Sequence, residues 1–159
     1  MFKEVMCLSV CLLAGSAIFA APAVSQSQTV QKDTAAINGA IKLFDSGDRA
    51  GAFLLLKTLE NTGDLRVLSR LGWCYYSGSG VEENRDLAYQ YFNRSIDDPD
   101  GFGVDGMAIC YQHGIGVKQD SVKAEELHKK ALAMGNLYAA GNLAILYDSL
   151  DKKAEAIRY

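Results

Sequence analysis

The feature that most constrains this chain is a self-similarity at an offset of 36 residues. Leu71-Gly72-Trp73-Cys74-Tyr75-Tyr76-Ser77-Gly78-Ser79-Gly80-Val81 lies over Met107-Ala108-Ile109-Cys110-Tyr111-Gln112-His113-Gly114-Ile115-Gly116-Val117. At the same offset Ala88 meets Ala124, Phe92 meets His128, Ser95 meets Ala131 and Ile96 meets Leu132. One further period lands on Leu143 and Tyr147, beneath Leu71 and Tyr75. A unit repeated at this length is a supersecondary element that cannot bury its apolar face alone, so stacked copies must share a core.

Each unit carries the periodicity of two helices joined by a glycine loop. Leu68, Leu71, Gly72 and Tyr75 step by three and four, as do Leu87, Ala88, Tyr91, Phe92 and Ile96, so each run forms one apolar stripe. These are helices A and B of a hairpin. Gly78 and Gly80, with Gly114 and Gly116, supply positive φ where helix A ends. Asn84 and Asp120 are favoured N-caps for helix B, and Gly135 stands where a left-handed residue would close it. Upstream, Thr34 to Ser46 and Arg49 to Asn61 form another helical pair around Gly47-Asp48. Downstream, a third helix A spans Leu137 to Asp148, its glycine loop is missing, and the chain ends at Tyr159. Gly101, Gly103 and Gly106 cost roughly 0.8–1 kcal/mol each relative to Ala inside a helix, which predicts that the middle helix A starts late. The short tail from Lys152 is expected to leave the stripe of Leu143, Leu146 and Tyr147 uncovered, an apolar edge for self-association.

Ahead of the repeats, Val5 to Ala20 is a nearly unbroken apolar run preceded by Lys3 and followed by Ala21-Pro22-Ala23. This is the layout of a secretory signal peptide over residues 1–23, cut after Ala23. Membrane attachment follows only if the segment stays uncleaved. Residues 24–33 are polar and read as a flexible leader, and the repeat domain occupies 34–159. The exported chain is expected in the periplasm or outside the cell. With 16 Lys plus Arg against 19 Asp plus Glu, net charge −3, it lacks the basic footprint that a nucleic-acid partner requires.

On these residues the chain resembles the Sel-one-like repeat family, a relative of the tetratricopeptide repeat. The resemblance rests on Leu71-Gly72, Tyr75, Gly78, Gly80 and Val81 in one copy. In the next it rests on Tyr111, Gly114, Gly116, Val117, Asp120, Lys123-Ala124, Lys130-Ala131 and Gly135. It covers about Leu65 to Tyr147, with 34–61 nearer the plain tetratricopeptide form. It implies an all-α, right-handed α-solenoid of antiparallel helix pairs that mediates protein complexes, in bacteria often at the envelope. Relatives that bind or hydrolyse penicillin-type compounds keep an enzymatic alternative open. Small size, acidity and export suggest a second alternative, an immunity or inhibitor protein for a secreted toxin.

No chemistry-bearing constellation competes with that reading. Cys74 and Cys110 are equivalent positions on neighbouring helices, ~8–10 Å apart when helices pack, which favours buried free thiols over a bridge with its ~7 Å limit. Cys110, His113 and His128 lack a metal-ligand spacing, so no metal or other cofactor is expected, and both histidines read as surface residues. Asp97, Asp98, Asp100 and Asp105 lack the ligand alternation of a calcium loop and read as a solvated turn. No Ser/His/Asp set or phosphate loop can be assembled, so no catalytic residue is assigned.

What remains is the surface the fold creates. The helix A positions turned away from helix B point into the concave side: Ile41 and Phe44, then Trp73 and Tyr76, then Phe102, Ile109 and Gln112, then Tyr138 and Ile145. Trp73, Ile109 and Ile145 are one period apart. Either they form an apolar ladder lining a groove for a protein or peptide, or a strongly curved array buries them between its own helices.

Overall fold

Local chemistry starts and stops each helix where the repeat places it. A computed structural model describes the backbone of residues 23–159 and the side chains of residues 33–159. The expected signal segment before Ala23 lies outside the described residues. The elements are α1 (Ala23–Asp45), α2 (Arg49–Leu59), a 3-10 turn (Glu60–Thr62), α3 (Leu65–Ser77), α4 (Arg85–Arg94), α5 (Phe102–His113), α6 (Ser121–Ala133), α7 (Tyr138–Ser149) and α8 (Lys153–Ala156). They pair as antiparallel hairpins into an all-α solenoid, with no strand among the described residues.

Four helices open on a side-chain cap. Asp48, Asp64, Asn84 and Asp120 each accept a hydrogen bond from a first-turn amide, those of Gly51, Arg66, Leu87 and Lys123, all at 2.9 Å. Each such cap contributes ~0.5–2 kcal/mol. The two glycine loops match bond for bond. Gly78 and Gly114 take φ of 67° and 71°, Ser79 and Ile115 amides return to the Cys74 and Cys110 carbonyls, and Asn84 and Asp120 amides return to those of Tyr75 and Tyr111.

The second glycine of each loop is held by a neighbour as well. A Cβ on Gly80 (φ 77°) would stand 2.9 Å from the Ala50 Cα and carbonyl oxygen, whereas one on Gly114 would meet nothing closer than 3.5 Å. Gly114→Ala is therefore expected to cost the left-handed penalty alone, about 1–2 kcal/mol, and Gly80→Ala that penalty plus a backbone clash. Urea unfolding of the two variants checks the order, and equal losses would deny that the loop docks on α2.

The hairpins share one core. Phe92 of α4 is fully buried and lies against two glycines, Gly72 of α3 and Gly106 of α5. Adding a Cβ would bring Gly72 within 2.7 Å and Gly106 within 2.2 Å of its ring. Gly106 thus lets α5 approach a ring whose burial is worth ~1.5–3 kcal/mol.

Three expectations are corrected here. The middle helix A does not start late: α5 is helical from Phe102, and every residue from there to Cys110 is buried. Its glycines are close-packing sites, and burial of Phe102, Val104 and Met107 outweighs their propensity cost. The first helix begins at Ala23, so the stretch read as a flexible leader is helical backbone. No glycine or proline interrupts residues 23–38, and a helix needs no apolar face where it extends beyond its hairpin. The stripe of Leu143, Leu146 and Tyr147 is buried, because α7 packs on α6 and α8 and Tyr159 stacks on Tyr147 at 5.8 Å. The most exposed apolar residues at this end are instead Leu137, Ile145 and Ile157, with Tyr138, Leu150 and Tyr159 also exposed.

Candidate functional site

Curvature brings the first hairpin of the array toward the last. α1, α2, α3, α5 and α7 together enclose a cleft of about 300 Å³ lined by Phe44, Arg49, Trp73, Phe102, Tyr138, Gly141, Asn142 and Ile145. Its apolar residues divide into a floor and a rim. Phe44 and Phe102 are buried and meet edge to face at 6.0 Å, Phe102 packs on Tyr138 at 5.7 Å, and Trp73 is half-buried. Tyr138 and Ile145 remain 48% and 62% exposed, so they hold the site open to solvent.

Two arginines flank the floor and differ in their compensation. Arg70, almost fully buried, lies 4.2 Å over the Phe102 ring and pairs with Asp100 at 3.1 Å and Asp45 at 3.7 Å. Arg49 opens α2 and packs between aromatic faces, its guanidinium carbon 5.1 Å from the Phe44 centroid and 5.8 Å from that of Tyr138. Among the described residues it makes no ion pair.

The nine residues read as groove-facing separate into three sets. Phe44, Trp73, Phe102, Tyr138 and Ile145 meet on the cleft. Ile41 and Tyr76 are half-buried against the core, Tyr76 edge to face with Trp73 at 5.6 Å. Ile109 and Gln112 are buried, which corrects the ladder: α5 is packed by α3, α4, α6 and α7, so its groove-facing side is covered. Trp73 serves both alternatives, since it lines the cleft, packs on Phe92 at 5.4 Å and donates its indole N–H to the Phe102 carbonyl at 3.2 Å. Arg49, Gly141 and Asn142 were not anticipated. Gly141 and Asn142 were within reach, because 138, 141, 142 and 145 follow the i, i+3, i+4, i+7 spacing of one helix face. Arg49 was not, because it opens α2, a B helix, and reaches the cleft only through the curvature of the array.

Behind the cleft runs a buried polar chain. The Asn142 side chain donates to Asp105 Oδ2 at 2.9 Å, Asp105 Oδ1 meets His128 Nδ1 at 2.6 Å, and His128 Nε2 faces Gln112 Oε1 at 3.4 Å. Asp105 and His128 are fully buried, so neither the surface histidine nor the solvated acid turn holds at these positions. Asp98 is buried as well, accepting from Ser69 Oγ at 2.6 Å, and burial pushes its carboxyl above the usual range. The network could have been suspected from the repeat: His128 replaces Phe92 and Asp105 replaces Ser69, core positions of the preceding copy. Its far nitrogen faces an amide oxygen, so the network links α5, α6 and α7.

Cys74 and Cys110 are buried free thiols, as their equivalent placement favoured, and no bridge joins them. Burial raises their pKa to about 11 and about 12, which keeps both as protonated, unreactive packing groups. Among the described residues no group of three acidic, His or Cys side chains is placed to hold a metal, and no helix is long and apolar enough to cross a membrane.

Comparison with known proteins bears on this geometry. The family model of the Sel1 repeat matches residues 67–100 and 106–136, the two hairpins formed by α3–α4 and α5–α6. Among solved structures the chain is similar to a Sel1 repeat protein from Oxalobacter formigenes, at 21% identity and a TM-score of 0.53, covering 72% of this chain and 47% of that one. It is also similar to a protective antigen of uropathogenic Escherichia coli with an SLR fold, at 22% identity and a TM-score of 0.56, covering 79% of this chain and 28% of that one. The chain therefore spans less than half the length of either. No curated protein matches it.

Proposed function

We propose that the chain is a non-catalytic binding module whose partner seats in the concave cleft, since two of its hairpins match the Sel1 repeat and such repeats are generally protein-interaction modules. The observation that carries the proposal is the pair of large apolar side chains, Tyr138 and Ile145, left exposed on the rim of an aromatic-floored cavity. Aromatic anchors beside a desolvated pocket are where binding energy concentrates. The closed hydrogen bonding of the Asp105–His128 chain supports the absence of catalysis, since the one buried acid–imidazole pair is spent on packing.

The proposal includes export, supported by the apolar run and small residues that end at Ala23. N-terminal sequencing of the exported chain should begin at Val24, and a retained Met1 would contradict it.

Ile145 is the cleaner probe, because Tyr138 also packs on Phe102 and beside the Arg49 guanidinium. Tyr138→Ser and Ile145→Ser are each expected to weaken partner capture by about 2 kcal/mol, roughly 30-fold, while Ile145→Ser changes stability by no more than about 0.5 kcal/mol and Tyr138→Ser, which loses the contact with Phe102, by about 1 kcal/mol. Capture from extract under crosslinking, with thermal unfolding in parallel, reads both quantities. Trp73→Ala cannot separate them, since it removes the contact with Phe92 as well as cleft surface.

A further inference from the structure

Given the proposed binding cleft, on which this inference rests, we infer that its occupant is the carboxy-terminal residue of a partner chain, an apolar side chain in the aromatic cavity with its α-carboxylate on Arg49. The charge of the site points there. Of the eight residues lining the cleft only Arg49 is ionised. The nearby carboxylates of Asp45 and Asp100 both turn to Arg70, and Asp48 caps α2 by accepting from the Gly51 amide. Arg49 is packed by the rings of Phe44 and Tyr138, and among the described residues its guanidinium has no hydrogen-bond or ion-pair partner.

An occupant that covered this cleft with apolar groups alone would strip water from an unpaired cation, which is strongly unfavourable. An occupant that fills the cleft therefore has to bring an anion, and a carboxylate matches the two-pronged geometry of arginine. The size of the cavity selects the source. About 300 Å³, the lower end for a ligand pocket, takes about one large terminal residue, its side chain and its carboxylate together. A chain terminus carries its carboxylate on the same α-carbon as the side chain that fills the pocket, whereas an internal acidic residue would need a second residue for the apolar contact.

The test uses hexapeptides of glycine and serine ending in leucine, isoleucine, methionine or phenylalanine, each as the free acid and as the amide. Trp73 is the single tryptophan of the chain and lines the cleft, so its fluorescence reports occupancy. The expected result is saturable binding of at least one acid form, at least tenfold weaker binding of its amide, and loss of that difference in Arg49→Gln with partial retention in Arg49→Lys. Circular dichroism confirms that the variants remain folded. Equal binding of acid and amide, or an Arg49→Gln chain that still discriminates, overturns the carboxylate assignment and leaves the cleft standing. Amidated peptides with an internal aspartate or glutamate that bind better than the acid forms overturn the chain-end assignment. Failure of every peptide overturns the inference, and the Tyr138 and Ile145 variants decide separately whether the cleft itself binds a partner.

Discussion

Replacing Gly103 by alanine is expected to destabilise the array by about 3 kcal/mol or more, although alanine is the better helix former by ~0.8–1 kcal/mol. The reason lies outside the helix. A Cβ at Gly103 would stand 1.9 Å from the carbonyl oxygen of Ser95 and 2.6 Å from its carbon, both backbone atoms at the end of α4. Ser95 is itself fully buried and tied back by its hydroxyl to the Tyr91 carbonyl at 2.8 Å, so it has no side-chain freedom with which to yield. The whole of α5 would have to move off α4. Gly141→Ala on α7, where nothing lies within 4 Å of the added carbon, is the matched control and should gain rather than lose stability. Urea unfolding of both variants measures the contrast. A Gly103→Ala chain as stable as the parent would mean that α4 and α5 do not meet as described.

Asp105→Ala carries the second large effect. Among the described residues its carboxylate accepts from the part-buried Asn142 amide nitrogen and pairs with His128 Nδ1, and removing it strands the fully buried imidazole beside a cavity in the joint of α5, α6 and α7. Each stranded group costs ~1–3 kcal/mol, and removing one member of a buried pair costs ~3–5 kcal/mol, so a loss of about 3–5 kcal/mol is expected in thermal unfolding. Asp120→Ala, which removes only the α6 cap, should lose ~0.5–2 kcal/mol. The double variant Asp105→Ala with His128→Phe restores the aromatic that Phe92 provides in the preceding copy. It should recover about half of the loss, because an apolar pair can replace a buried polar one. A loss from Asp105→Ala no larger than that from Asp120→Ala would show that the network is not closed.

What was legible in the sequence is what local chemistry decides. The 36-residue offset, the loop glycines and the caps at Asn84 and Asp120 all act within one hairpin, where spacing alone places them. Contacts between hairpins were hidden. Gly103 and Gly106 look like weak points in a helix and are in fact where α4 touches α5, a fact carried by Ser95 and Phe92 and not by the glycines' own neighbours in sequence. His128 and Asp105 look like surface polar residues until each is seen to provide the other's hydrogen bond. The cleft was half visible: one face of each A helix supplied Phe44, Trp73, Phe102, Tyr138 and Ile145, but Arg49 enters from a B helix through a curvature that no single repeat encodes.

The central claim is that the partner sits in the cleft between the first and last hairpins. Site-specific photo-crosslinking tests it most directly, with a benzophenone side chain placed at Ile145 on the rim or at Val122, 80% exposed on α6 and not part of the cleft lining. The account predicts an adduct from position 145 that disappears when Tyr138→Ser is added, and none from position 122. Equal adducts from the two positions, or an adduct from 122 alone, would contradict it.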